Sequence, residues 1–364
     1  MTARSKPLAA IARQRLLRQG IADTRFATPV HAVSWLLAVQ AQDYSSSLWA
    51  VGLRMRDGDE ADVERAIANA KLIRTWPMRG TLHLVSADDV RWLLELLAPR
   101  MIARSNALMA RHSGLDAATL KQCRRVVSRA LRDGTPLRRD RLYAALDAAG
   151  IATARRGTHI TGRLAMEGLI CGGPRDGRQP TFVLLDAWAP HAQRKPRDAS
   201  LAELALRYFA SRGPATAQDL AWWSGLTVKD ALAAIALAGS GLVQDTIDGK
   251  AHWHASSALP EGDGGSAASV HLLPPFDEYL VGYRDRSAAL DVEHNRTVIA
   301  INGLFSASIV VDGRIAGLWK RSVGKSAMEL ALQPFRPLPK SRLPALRAAV
   351  KRYGAFVGMP VGIA

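Results

Sequence analysis

An internal repeat constrains this chain more than any other feature. Glu167-Gly168-Leu169-Ile170 runs through Asp176-Gly177-Arg178 to Phe182-Val183-Leu184-Leu185, and Ser240-Gly241-Leu242-Val243 runs through Asp248-Gly249-Lys250 to His252-Trp253-His254. Asp-Gly between apolar runs is the chemistry of a tight hairpin, because such turns need residues that tolerate positive φ. Three helical patterns precede each hairpin: Thr119 to Leu131, Leu137 to Ala148 and Thr158 to Met166, then Leu201 to Ala210, Thr216 to Trp223 and Thr227 to Leu237. Thr227 is placed as an N-cap and Gly225 in the turn before it. Helix, helix, turn, helix, hairpin is the order of a winged helix.

A more divergent third copy is expected at the N-terminus. Helical patterns cover Ala9 to Arg18, Val30 to Val39, Ser47 to Met55 and Asp62 to Ala70, and the runs Leu72 to Trp76 and Gly80 to Val85 flank Pro77-Met78-Arg79 as a further hairpin. Ala87 to Leu108 reads as a connecting helix, Pro190 to Asp198 as a polar linker, and Pro260 to Ser269 as a flexible one. Beyond it the pattern turns to strands over Val270 to Leu273, Thr297 to Ile301, Phe305 to Val311 and Arg314 to Lys320, with Asp312-Gly313 as a turn. A last helix, Arg342 to Tyr353, precedes a short apolar tail. The expected organisation is residues 1–112, 113–190 and 198–258 as three repeats and 269–364 as a β-rich domain. The fold class is mainly α with β wings, an α+β chain.

At 364 residues the chain exceeds what one hydrophobic core usually supports, so several compact units are expected. Its 49 Lys and Arg against 32 Asp and Glu give a formal net charge of +17, which attracts polyanions and favours nucleic acid as a partner. Cys123 and Cys171 lie far apart with no metal-ligand spacing, so neither a disulfide framework nor a zinc site is implied. Arg4, Lys6, Arg13, Arg15 and Arg18 interrupt the first twenty residues, which excludes a secretory leader there. A cytoplasmic protein without membrane partners fits, and no residue pattern asks for a metal or cofactor.

Several clusters carry chemistry. Gln40-Ala41-Gln42 places two amides two residues apart, and they face the same way only if the preceding helix ends, because positions i and i+2 diverge on a helix. Asp43-Tyr44-Ser45-Ser46-Ser47 supplies turn formers and an N-cap at that point. On its own this pair reads as two surface glutamines. Eleven cations crowd the second repeat, with Arg155 and Arg156 at the start of its third helix, suited either to phosphate contact or to a solvated surface. In the first hairpin, strand alternation puts Arg79, Thr81 and His83 on one face beside Trp76, a stripe that suits a nucleotide but equally a structural histidine. The block Leu272 to Arg286 mixes aromatic, acidic and basic residues. Tyr283, Arg284 and Arg286 are candidates to face nucleic acid with Asp277 orienting an arginine, or the block is held by internal ion pairs. Gly324-Lys325-Ser326 resembles the end of a phosphate loop, but Trp319 stands where its first glycine belongs.

Taken together, Gln40-Ala41-Gln42, the hairpin Trp76 to His83, the block Leu273 to Arg286 and Asp312-Gly313-Arg314-Ile315-Ala316-Gly317-Leu318-Trp319 resemble the winged-helix alkylpurine DNA glycosylases of the AlkZ and YcaQ type. The resemblance covers nearly the whole chain. It implies three tandem winged helices in a C-shape around DNA and a C-terminal β-rich domain. Gln42 places the chain in the branch with two glutamines rather than glutamine and aspartate. The resemblance further implies that Gln40 and Gln42 are catalytic; beside it, the clusters above give Arg79, His83, Arg155, Arg156, Tyr283, Arg284 and Arg286 as the residues expected to touch DNA, with Asp43, Tyr44, Trp76, Thr81 and Asp277 expected to support the site. The substrate it implies is double-stranded DNA bearing alkylated guanine or adenine, including bulky adducts and interstrand crosslinks, acted on by a bacterial monomer at the nucleoid. Two other readings stay open at this point: a winged-helix DNA-binding protein without catalysis, and an interaction protein whose basic charge aids solubility.

Overall fold

The computed structural model describes residues 6–24, 26–256 and 269–364. Residues 260–268 of the expected flexible linker lie outside them. Two compact units are present, one of residues 64–200 with 224–226, the other of residues 1–63, 201–223 and 227–364. The expected boundary near residue 112 falls inside the first of these.

In the unit of residues 64–200, the hairpin Leu72–Met78 and Thr81–Ser86 leads into the long helix Val90–Ser113. Arg79 and Gly80 both have positive φ, 54° and 70°, the geometry that a two-residue hairpin turn demands. There follow the helix Ala117–Ala130, the two-residue strand Leu137–Arg138, the helices Arg139–Ala148 and Gly157–Met166, and the strands Ile170–Gly172 and Thr181–Leu184. The last two pair as Ile170 with Leu184 and Cys171 with Val183, while Leu137 pairs Phe182 on the far side. Arg74 opposite Gly172 joins the first hairpin to the same sheet. Helix Ala117–Ala130 is capped by Asp116, whose carboxylate accepts from Thr119 N–H at 2.7 Å. It buries Leu120, Cys123 and Val127, one helical stripe, against Leu142, Leu146, Ile160 and Leu164, with Trp76 packed on the cluster. Each large apolar side chain so buried contributes on the order of 1.5–3 kcal/mol. The opposite face carries Lys121, Arg125 and Arg129 at four-residue spacing, all exposed. The expected polar linker is fastened along the long helix: Gln193 N–H donates to Asp88 O at 3.2 Å, Arg194 pairs with Glu95, and the Lys195 ammonium lies 5.1 Å from the Trp92 ring centre.

The other unit begins with the helices Lys6–Arg18, Pro29–Leu36 and Tyr44–Gly52. Its middle portion is Arg197–Arg212, Ala217–Ser224, Val228–Ala238 and the hairpin Leu242–Ile247 with Lys250–Ala255, in which Leu242 faces Ala255 and Ile247 faces Lys250. Thr227 and Asp230 form a reciprocal capping box at the start of Val228–Ala238. Asp248 and Gly249, like Asp312 and Gly313, both have positive φ, so both Asp-Gly pairs close hairpins as the sequence predicts. A five-stranded sheet completes the unit, in the order Val361–Ile363, Met328–Pro334, Arg314–Val323, Ser308–Val311, Val270–Leu273, with helix Leu343–Val357 packed on it.

Two expected elements are corrected, and three further segments take a definite form. The helix expected to reach Val39 stops at Leu36. Thr297 to Ile301 is no strand, despite its β-branched residues: Asn295–Val298 is a helical turn, and the chain reverses through Gly303, leaving one bridge between Ile299 and Phe305. Met328–Pro334 is a strand whose Met, Glu, Leu and Ala content has helix propensity, while its apolar residues alternate with period two. The apolar tail is the edge strand, parallel to Met328–Leu330. Gly324-Lys325-Ser326 is a hairpin turn, where Gly324 N–H donates to Ala327 O at 2.9 Å.

Candidate active site

The helix Pro29–Leu36 ends in a strained turn. Leu37 has φ 63° and ψ −48°, and Ala38 N–H donates to Leu36 O at 2.7 Å. This is a γ-turn of the rare, positive-φ hand, a conformation that costs a bulky L-residue roughly 1–3 kcal/mol. It turns the chain from helix to the extended pair Val39–Gln40, and Asp43 then starts the next helix by accepting from Ser46 N–H at 2.8 Å. The turn at Leu37 thus takes Gln40 out of the helix, and Gln42 follows at a bend just before the next helix begins. Gln40 is buried to 8% exposure, Ala41 is fully buried and Gln42 is exposed. Tyr44 opens the following helix, and its carbonyl accepts from Ser47 Oγ at 2.6 Å.

Buried ionic groups hold this segment. Arg212 donates from Nη1 to Leu36 O at 2.9 Å and from Nη2 to Ala38 O at 3.3 Å, and its Nη2 lies 2.6 Å from Glu278 Oε2. Glu278 Oε1 accepts from Gln40 N–H at 3.0 Å, while Oε2 also accepts from Trp223 Nε1–H at 2.8 Å. Arg212 and Glu278 have no exposed side-chain surface. Asp277, next in the chain to Glu278, is engaged twice by Arg54, at 2.9 Å through each carboxylate oxygen, and accepts from Tyr279 N–H at 2.8 Å. Arg54 continues to Gln19 Oε1 at 2.9 Å, Gln19 Nε2 donates to Tyr283 Oη at 3.0 Å, and Tyr283 donates to Arg212 O at 2.9 Å. Asp277 therefore orients Arg54, and not an arginine of its own block. Gln19, Arg54 and Arg212 carry no sequence signal for this role, because they meet partners far along the chain, 223 positions away for Arg54 and Asp277.

The remaining expected site residues divide by unit. Tyr283 is corrected: at 1% exposure, with its ring 3.7 Å beneath the Arg15 guanidinium, it is enclosed by protein and unable to touch a duplex. Burial raises its phenol above the usual range, with Arg15 and Arg212 opposing. Arg284 is exposed, its N–H donating to Asp219 Oδ1 at 2.8 Å. Arg286 donates to Leu280 O at 2.8 Å and its guanidinium lies 5.3 Å from the Trp222 ring and 5.1 Å from the Phe305 ring. Arg284 and Arg286 line a cavity of about 1080 Å³ with Lys250, Arg296, Leu232 and Leu290. In the unit of residues 64–200, Arg79 Nη2 donates to His83 Nε2 at 3.1 Å. Since a guanidinium only donates, the ring proton sits on Nδ1, 3.0 Å from Thr81 O. His83 has no exposed surface, so it orients Arg79, which is half-buried, and its direct contact with DNA is corrected too. Trp76 packs on the core of the second repeat. Arg155 is exposed; Arg156 donates back to Ala152 O at 2.5 Å. Among the other cations expected there, Arg124 and Arg163 converge on Glu167.

Residues 33–356 match the family described as DNA glycosylase AlkZ-like. The chain belongs to the AlkZ-like DNA glycosylase family. Within that family it is 28% identical over 362 residues to the interstrand DNA cross-link repair glycosylase of Streptomyces sahachiroi, covering 96% of this chain and 95% of that one. The solved structure of Streptomyces sahachiroi DNA glycosylase AlkZ superposes over the full length of both chains, with a TM-score of 0.81 and 25% identity. An AlkZ-like protein is a DNA repair glycosylase with DNA as its substrate. Among the described residues no single helix is long and apolar enough to cross a membrane, and no three His, Cys, Asp or Glu side chains gather as a metal site.

Proposed function

We propose that this AlkZ-like protein is a monofunctional glycosylase that hydrolyses the N-glycosidic bond of purines made cationic by alkylation in double-stranded DNA, with Gln40 and Gln42 as the catalytic amides. The observation that supports this reading is the strained turn at Leu37, which ends the helix ahead of the pair: Gln40 stands on the short extended stretch Val39–Gln40, and Gln42 is exposed at a bend two residues on. Alkylation on the imidazole ring of guanine gives the base a positive charge and makes it a good leaving group, so a strong general acid is unnecessary. What the protein must supply is a placed water and stabilisation of the oxocarbenium-like sugar. Amide carbonyls accept from water and carry no net charge. They avoid bringing positive charge next to a cationic lesion, which the chain's net +17 would otherwise invite. Undamaged purines, which do not leave unaided, are spared by the same economy of catalysis. The name of the Streptomyces relative supports extending the substrates to interstrand crosslinks. We further read the helix, helix, helix, hairpin segments as winged helices that carry the duplex, in a monomer working on cytoplasmic, nucleoid DNA.

The test is single-turnover release of base from a duplex alkylated at guanine N7, with abasic sites revealed by hot alkali. Gln40→Ala and Gln42→Ala should each slow release by about 10²-fold to 10³-fold, the usual loss for one preorganised polar contact to a transition state. Affinity for the duplex should be nearly unchanged, and strands should stay intact until alkali is added. Equal rates for wild type and both variants would overturn the assignment of the amides.

A further inference from the structure

We infer that Glu278 is a positioning residue for Gln40, acting with Arg212 as one buried clamp on the catalytic segment; this rests on the reading of Gln40 given above. Three backbone groups of that segment, Leu36 C=O, Ala38 C=O and Gln40 N–H, are fixed by this single ion pair at 2.9, 3.3 and 3.0 Å. They straddle the strained residue, Leu37. A positive-φ leucine persists only where its surroundings over-determine it, and the clamp supplies that determination from both sides. The carboxylate is unsuited to act as the base itself. It has no exposed surface, and Gln40, Trp223 and Arg212 already donate to its two oxygens. Its contribution is to fix the peptide from which the Gln40 side chain departs, and a small misplacement there is costly for a group that must hold a water in line with the sugar. The neighbouring Asp277 pair with Arg54 fastens the other side of the helical turn that presents Glu278, since Asp277 caps Glu278–Val281.

The experiment is a double-mutant cycle in single-turnover base release, corrected for spontaneous loss of the N7-alkylated guanine. Glu278→Gln keeps the shape of the side chain but offers Arg212 an amide. It should slow release about 10²-fold with duplex affinity unchanged and with an unaltered shape of the pH profile. In a Gln40→Ala background the same change should cost less than about threefold more, because its route is already gone, whereas in a Gln42→Ala background the two losses should multiply. Multiplicative loss in the Gln40→Ala background, or a pH profile that loses a limb in Glu278→Gln, would overturn the positioning role. If Glu278→Gln does not fold, Arg212→Lys retains the charge pair but not the fork to Leu36 and Ala38, and should show the same non-additivity; an unchanged rate or multiplicative loss overturns the inference. Absence of base release by wild type would instead refute the glycosylase reading, so the two failures are distinguishable.

Discussion

Neutralising Asp277 gives the most direct measure of how firmly the scaffold under the candidate site is held. Arg54 has no exposed side-chain surface and Asp277 has 1%, and two charge-assisted bonds of 2.9 Å join them. Asp277→Asn leaves the guanidinium with Ala50 O at 2.7 Å and Gln19 Oε1 at 2.9 Å, so its charge is no longer balanced in a place water does not reach. Breaking one side of such a pair typically costs about 3–5 kcal/mol. Asparagine still caps the turn at Tyr279 and still offers Arg54 one acceptor, which puts the expectation near the lower end, about 3 kcal/mol. Removing the stranded charge as well, in Arg54→Met with Asp277→Asn, should recover most of that loss and reveal a coupling of about 2 kcal/mol between the sites. Urea unfolding followed by circular dichroism reads the midpoints. A midpoint for Asp277→Asn within about 1 kcal/mol of wild type, or simple additivity in the double variant, would refute the claim that this pair bears the turn carrying Glu278.

Two further outcomes follow from the charges. Burial, reinforced by the nearby Arg352 cation, pushes His271 down to about 4 from the usual 6.5, so the unfolded chain binds the proton more readily. Stability should fall as pH drops from about 6.5 to about 4 and level off below, by on the order of 3 kcal/mol in all. Unfolding of His271→Gln across that window should lack this slope, and an identical slope would remove His271 as its source. Duplex affinity should fall steeply with salt, and Arg155→Ala with Arg156→Ala should flatten the log-log slope by about 0.9 for each phosphate no longer neutralised, most of it through exposed Arg155; an unchanged slope would take both out of the interface.

The readable part of this protein is local. Asp-Gly turns, helix caps and the amphipathic stripe of Ala117–Ala130 depend on residues within one turn of each other, and they stand where the sequence puts them. The helical pattern running to Val39 misleads for an equally physical reason. It continues from Val30 without a break, and what stops the helix is the contact of Leu36 O and Ala38 O with Arg212, 176 and 174 positions later. Local propensity is a weak prior against a buried guanidinium. Thr297 to Ile301 fails the other way, with strand-forming residues on a segment whose ends are pulled into a reversal.

The block Leu272 to Arg286 shows why function is harder to read than fold. Aromatic, acidic and basic residues crowded together are what a nucleic-acid surface and a buried polar network have in common, and only burial separates them. Tyr279 and Tyr283 face inward, their hydroxyls spent on backbone carbonyls of Ala12, Gly313 and Arg212. Arg284 and Arg286 instead line the cavity, so one short stretch holds both a buried polar network and two arginines at a cavity wall. The two amides at Gln40 and Gln42 have no strong charge of their own to set their direction. Their geometry has to be inherited from groups that do, and a carboxylate and guanidinium kept from water hold direction best, because any displacement leaves an uncompensated charge. On the proposed function, weak catalytic groups and a strongly ionic foundation are two halves of one requirement.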